Sequence, residues 1–365
     1  MSKHYLVALV GCGGMGRQHI KALHDVPDFS VVALCDVSEE SLALAGEMVE
    51  AAPYRDCATM CDEIKPDIVV VATQTRGHLD PSVAALERGI SVLCEKPIAI
   101  DLNEADQMVA VAQQSGARLA INQQNHVNPG IRKAQNMVAA GDIGEVVLVR
   151  GRNKSGRKSG NEFTEMGTHV TDMMLCFGGQ PEWCAGTVYW QGRLAESDAI
   201  MEAKQMSPKD RDSGPVLGER AIGHYGFAGG ILGEIHFFGY ETLMSDNYGV
   251  DILGTYGQLT VRASRWMDTC LWHLPRPMEG APSDRDAWQE VALGAEGKED
   301  SIVQMFYELA LAIEQGGQPP SSGMEGRTAF EMILGIYQSH RQGGQRVELP
   351  LADRRHPLVA WRKAR

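Results

Sequence analysis

From residue 4 to about residue 121 the chain repeats one order, a short apolar run and then a stretch with helical spacing. YLVALV precedes GRQHIKALHDV, VVALC precedes SEESLALAGEMVEA, DIVVVAT precedes HLDPSVAALERG, SVLCEK precedes NEADQMVAVAQQSG, and RLAINQ ends the series. Few folds admit this alternation. Strands joined by helices lie parallel, and helices then cover both faces of the sheet, so each strand reads as a nearly continuous apolar run. We read residues 1–121 as one α/β unit, a doubly wound parallel sheet.

The first turn of that unit is GCGGMG, in which Gly11, Gly13 and Gly16 fit G-x-G-x-x-G directly after a strand and at the opening of a helix. In that setting the first glycine allows the tight turn, the second lets a pyrophosphate approach the backbone, and the helix N-terminus faces its negative charge. This is the dinucleotide-binding, or Rossmann, arrangement, with Met15 also in the loop. Asp36, twenty residues beyond Gly16, ends the second apolar run, where a carboxylate accepts from ribose hydroxyls and repels a 2′-phosphate, so NAD is favoured over NADP. Asp36 also suits the cap of the helix beginning near Ser38. The run DIVVVAT leads to Thr73, Gln74 and His78, and the run SVLCEK to Glu95, Lys96 and Pro97, all at the strand ends where ligands of open α/β sheets bind.

After residue 122 the pattern changes to helices and strand-like runs with alternating faces. Gly229-Gly230 and the stretch GTYGQ mark hairpin turns. Residues 122–365 read as an α+β domain with a largely antiparallel open sheet. Residues 195–220 and 276–300 lack apolar periodicity and read as long functional loops. No apolar run approaches the roughly 18 residues of a membrane span, and the N-terminus lacks a signal-peptide cleavage pattern. A net charge of −13 argues against nucleic acid or an anionic membrane as partner. The eight cysteines lack paired metal-site spacing, so no metal is expected and a reducing cytoplasm is. Cys57 and Cys61 are read as packing residues on one helix face.

Taken together, GCGGMGRQH, Asp36, the segment from Ala72 to His78 and CEKP resemble the glucose-fructose oxidoreductase, inositol dehydrogenase and MocA family, and the likeness extends over almost the whole chain. The resemblance implies a nicotinamide-dependent oxidoreductase of sugars and polyols whose second domain binds substrate and mediates assembly, giving a homodimer or homotetramer. It puts catalysis on Lys96 and on a second-domain histidine, matched by His169 in Glu165-Met-Gly-Thr-His169. Glu165 stands where the family has aspartate, four residues before the histidine and so on one helical face. Asp172 is expected on the outer side of that helix. Where the family carries arginine, Gln124-Asn125-His126-Val127-Asn128-Pro129 has histidine.

The basic run from Arg150 to Lys158 reads as a solvated face, or as a border of the site that favours a carboxylate, a phosphate or a polyhydroxylated glycoside. Candidate substrate contacts are Gln124, His126, Arg152 and Asn161. The expected reaction is reversible oxidation of a secondary alcohol, with His169 as base and Lys96 stabilising the developing alkoxide. Burial beside a cationic nicotinamide is expected to lower the lysine pKa, and Glu95 is expected to fix the cofactor or position the lysine. Two other readings stand beside it: a glycosidase that works by transient oxidation and elimination, and a non-catalytic nucleotide-binding regulator.

Overall fold

The computed structural model describes residues 3–153, 162–203, 214–238, 248–263, 269–275, 288–293 and 300–362. The chain divides into two compact units: Met1–Gln124 with Glu299–Arg327, and Asn125–Lys298 with Thr328–Arg365. Sequence reading drew a single boundary after residue 121. The return of residues after 298 to the first unit is invisible to periodicity, which shows that a helix has an apolar face but not what that face meets.

The first unit runs β1 (Tyr5–Val10), α1 (Gly14–Leu23), β2 (Phe29–Cys35), α2 (Glu39–Gly46), β3 (Ala52–Tyr54), α3 (Cys57–Ile64), β4 (Ile68–Val71), α4 (Leu79–Leu86), β5 (Ser91–Cys94), α5 (Leu102–Ser115) and β6 (Leu119–Ile121). Its six strands are all parallel, in the order β3-β2-β1-β4-β5-β6. Strand order reverses between β1 and β4, and crevices at such switch points receive ligands. All four residues of β4 and of β5 are buried, which explains their unbroken apolar runs.

Later in the chain the second unit's α6 (Pro129–Ala140), β7 (Val146–Arg152), α7 (Gly167–Gly178), β8 (Pro181–Trp190), β9 (Arg193–Leu194), β10 (Met201–Glu202), β11 (Pro215–Val216) and β12 (Arg220–Phe227) follow. They continue with β13 (Leu232–Phe238), β14 (Gly249–Gly254), β15 (Gly257–Arg262), β16 (Cys270–Pro275) and β17 (Gln289–Glu290). Then come α8 (Ser301–Gln315), which belongs to the first unit, α9 (Gly323–Arg341), β18 (Val347–Glu348) and α10 (Pro357–Arg362). The large sheet has the order β17-β16-β15-β14-β7-β13-β12-β8-β18, with β9 on β8, and only β13 and β7 pair parallel. β12 and β13 turn through Gly229 and Gly230, at φ of 78° and 84°, and β14 pairs antiparallel with β15 across Thr255-Tyr256. Of the two long aperiodic stretches, residues 204–213, 276–287 and 294–299 lie outside the described residues.

In the first unit α8 buries Ile302, Met305, Phe306 and Leu309. Phe306 meets Phe29 (5.4 Å between ring centres) and stands edge-on to His19 (5.9 Å). Tyr5 donates from its hydroxyl to Glu314 Oε1 (2.8 Å). In the second unit α7 packs on one face of the sheet, where Gly151 leaves room for Val170 and Met174: a Cβ there would come within 2.5 Å of Val170.

Candidate active site

In the first unit the glycine loop is shaped by what a side chain would strike. Gly11 has φ of 94°, and a Cβ on Gly16 would fall 1.9 Å from the Gly11 carbonyl, so strand and helix touch there through bare backbone. A Cβ on Gly13 would meet nothing within 4 Å, and Gly13 is the N-cap of α1 with no side chain capping the helix. Gly14, the next residue, is equally open, so the uncapped N-terminus of α1 has the clear approach over two glycines that a pyrophosphate needs. Met15 is exposed in the first turn of α1.

Asp36 closes this loop from the end of β2. Its Oδ2 accepts from Cys12 N (2.7 Å) and its Oδ1 from Ser38 N (2.8 Å). The cap of α2 is Ser38, whose Oγ accepts from Ser41 N (3.2 Å). The helix-cap role considered for Asp36 thus falls to its neighbour, and the carboxylate instead ties the glycine loop to the strand end.

Beyond β5, the Glu95 carboxylate is turned inward. Oε1 accepts from His19 Nε2 (2.9 Å) and Asn122 Nδ2 (2.6 Å), and Oε2 receives the Lys96 amide at 3.3 Å. Burial alone would push Glu95 up. The hydrogen bond and charge of His19, the Asn122 amide and the Lys96 charge outweigh it and hold the carboxyl at about 2. The Lys96-Pro97 peptide is cis, and the Pro97 carbonyl lies 2.9 Å from Nδ1 of His78. His78 is buried, with Nε2 3.3 Å from the Thr73 carbonyl, and burial pushes its imidazole pKa down. A neutral ring has one N–H, and the shorter contact, to Pro97, is where we place it. Thus His78, expected to bind cofactor, fastens the turn that carries Lys96, while Thr73 is half-buried and Gln74 exposed at the end of β4.

Sequence reading missed His19 and Asn122. The signal for His19 was present, since it lies three residues past Gly16 on the same buried face of α1. Gln124 accepts from the Ser301 hydroxyl at the start of α8 (2.6 Å).

In the second unit α7 carries His169 and Asp172. A π turn over Glu162–Met166 precedes it, so Glu165 and His169 do not share the uniform α-helical register that their spacing suggested. Both side chains are half-buried. Asp172, expected on the outer side of the helix, is fully buried and faces inward, with Oδ1 2.9 Å from His126 Nε2. Asn125 Nδ2 donates to the His169 carbonyl (3.3 Å).

Arg150 and Arg152 are cross-strand ion-pair partners, Arg150 with Glu234 (2.7 Å) and Arg152 with Asp251 (2.6 Å). Asp251 also holds Arg262. The rest of the basic run, with Asn161, lies outside the described residues. Cys57 and Cys61 bring their sulfurs to 3.9 Å on α3, and all eight cysteines are free thiols. Among the described residues no cluster of three or more His, Cys, Asp or Glu side chains could hold a metal ion, and no helix is long and apolar enough to cross a membrane.

Residues 5–123 match the model of the oxidoreductase family with an NAD-binding Rossmann fold. D-apiose dehydrogenase of Paraburkholderia graminis is 24% identical to this chain over 381 residues, covering 98% of this chain and 93% of that protein. Inositol 2-dehydrogenase of Salmonella typhimurium is 29% identical over 149 residues, 40% of this chain and 44% of that protein. A levoglucosan dehydrogenase solved with NADH and L-sorbose shares the fold, with a TM-score of 0.77 at 18% identity over 96% of this chain and all of that one (100%). With the glycine loop, Asp36 and the Glu95-Lys96-Pro97 turn in their places, residues 5–123 form the NAD-binding Rossmann domain of the glucose-fructose oxidoreductase, inositol dehydrogenase and MocA family of oxidoreductases.

Proposed function

We propose that this protein reversibly oxidises a secondary alcohol of a sugar, glycoside or cyclitol, with Lys96 and His169 handling the proton. The observation that carries the reading is the turn after β5. Glu95 is held inward by His19 and Asn122, and the Pro97 carbonyl is held by His78, so Lys96 stands between two fastened residues at the carboxyl end of the sheet. Relatives that act on apiose, inositol and D-glucosides support the substrate class.

The glycine loop fits a dinucleotide, because Gly13 opens on free space while Gly11 and Gly16 pack tightly. When bound, NAD supplies the hydride acceptor. Asp36 keeps acceptor capacity for ribose hydroxyls and repels a 2′-phosphate, which favours NAD over NADP. His169 takes the hydroxyl proton, since imidazole exchanges protons near neutrality, and Glu165 orients it. Lys96 donates a hydrogen bond to the same oxygen and stabilises the charge that grows there. Glu95 acts on the lysine's turn rather than on the cofactor. Arg152, whose side chain is 38% exposed despite its ion pair, and Gln124 and Asn161 remain substrate contacts in this proposal. Eight cysteines outside any disulfide support a cytoplasmic setting, and the sheet face opposite α7 supports self-association.

The test is a panel of sugars, glycosides, sugar acids and inositols incubated with NAD, with NADH absorbance and aglycone release followed together. The reading expects NADH to accumulate. Aglycone release without net NADH would replace it with redox-assisted cleavage, and tight NAD binding with neither product would make the protein a nucleotide-binding regulator.

A further inference from the structure

Consecutive side chains just before α6 fasten it to α7. Asn125 Nδ2 donates to the His169 carbonyl and to the Tyr248 hydroxyl (3.2 Å). His126 Nε2 donates to Asp172 Oδ1 at 2.9 Å, and Asp172 has no exposed surface. One turn further along α7, Cys176 brings its sulfur to 3.8 Å from the same nitrogen. Arg132 on α6 donates from Nε to the His126 carbonyl (3.1 Å). Among the described residues, the titratable and charged groups facing His126 are therefore Asp172 and Cys176 from α7 and Arg132 from α6.

A buried carboxylate stripped of its partner is strongly disfavoured, so Asp172 needs a cation or donor beside it. Arginine would stay charged at any pH the protein meets, whereas histidine loses its charge within reach of neutrality. We propose that His126 and Asp172 form a proton-dependent clasp on α7 that positions His169, three residues before Asp172 on the same helix. This rests on reading His169 as the proton acceptor, and it makes His126 a positioning residue instead of a substrate contact.

Burial alone would push the His126 ring down. The Asp172 charge and hydrogen bond, with Cys176, outweigh it and hold the ring well above 6.5. A folded value above the unfolded one gives stability that is complete below the unfolded value and lost as pH rises through the folded value. A neutral ring still donates from Nε2, so deprotonation removes the charge-assisted part of the clasp and weakens it on the alkaline side.

The test needs only the apoprotein. Ring C2 hydrogen–deuterium exchange, read for each histidine by mass spectrometry, is measured in wild type, H126R, H126Q and D172N. Thermal unfolding of the same proteins is followed from about pH 6 to about pH 10, across the folded titration. His126 is expected to titrate well above its ordinary value in wild type and to fall by about one unit or more in D172N. The wild-type Tm should drop by about 3 °C or more across that titration. H126R should lose this drop and keep the wild-type exchange of His169, while H126Q should alter that exchange.

A His126 that titrates near its ordinary value, an H126R protein with the wild-type alkaline loss, or an H126Q protein with unchanged His169 exchange overturns the clasp. If H126Q or D172N does not fold, the comparison of H126R with wild type decides. Turnover retained in H169N, with NAD and D-apiose or myo-inositol, would remove the base assignment and leave the exchange results standing on their own.

Discussion

Glu95 looks from the sequence like a charge beside a cofactor, yet it is a buried carboxylate whose Oε1 is held by His19 and Asn122 and whose Oε2 receives the Lys96 amide. Its folded pKa lies at about 2, below its ordinary 4.5, so its contribution to stability is present above the ordinary value and lost as pH falls through the folded one. Acid unfolding of wild type and Glu95→Gln should therefore converge as pH falls from 4.5 towards 2. At neutral pH wild type should be the more stable by on the order of 2–3 kcal/mol. A constant difference over that range would deny Glu95 this role. Its neighbour Lys96 predicts the opposite kind of loss. In Lys96→Ala, NAD binding should persist while turnover falls about 10²–10⁴-fold, and unchanged turnover would sink the assignment. The residues that stayed hidden, His19 and Asn122, meet Glu95 across 76 and 27 positions of chain: helix spacing puts His19 on the buried face of α1, but no local pattern names the carboxylate it meets there.

At the scale of elements, the glycine loop separates folding from binding. Gly13→Ala puts a methyl group into open space, so thermal stability should hold while the NAD dissociation constant rises at least about tenfold, because that space is where a pyrophosphate approaches. Gly16→Ala drives a Cβ into the Gly11 carbonyl and should cost about 2–3 kcal/mol of stability before any ligand is added. Equal stability losses in the two variants, read by calorimetry, would contradict this division. β4, β5 and β6 were legible because every residue in them is buried and their runs are unbroken, whereas the short, half-exposed β3 left no such run. The turn before α7 was not legible. Its π geometry depends on packing, and a four-residue spacing counted on paper assumes the very helix that is interrupted there.

For the whole molecule, alternation along the large sheet leaves Tyr189, Ile222 and Glu234 on the face opposite the buried Val188, Ala221 and Ile235. If this is the self-association surface, Ile222→Asp should shift the solution mass, read by light scattering, towards monomer. An unchanged assembly would put the interface elsewhere. Both fold classes followed from periodicity and turn chemistry, but the division of the chain did not, because α8 is separated in sequence from the strands it covers.

That late return has a consequence during synthesis. Domains emerging from the ribosome fold as units, N-terminal first, at about 5–20 residues added per second. Here the first unit lacks α8, and the Phe306 ring that covers His19 and Phe29, until the chain has passed residue 315. The nascent nucleotide-binding unit therefore waits with an apolar face open through the translation of the intervening 174 residues, Asn125–Lys298. An N-terminal fragment expressed alone is expected to aggregate or to occupy chaperones, not to stand as a miniature of the enzyme.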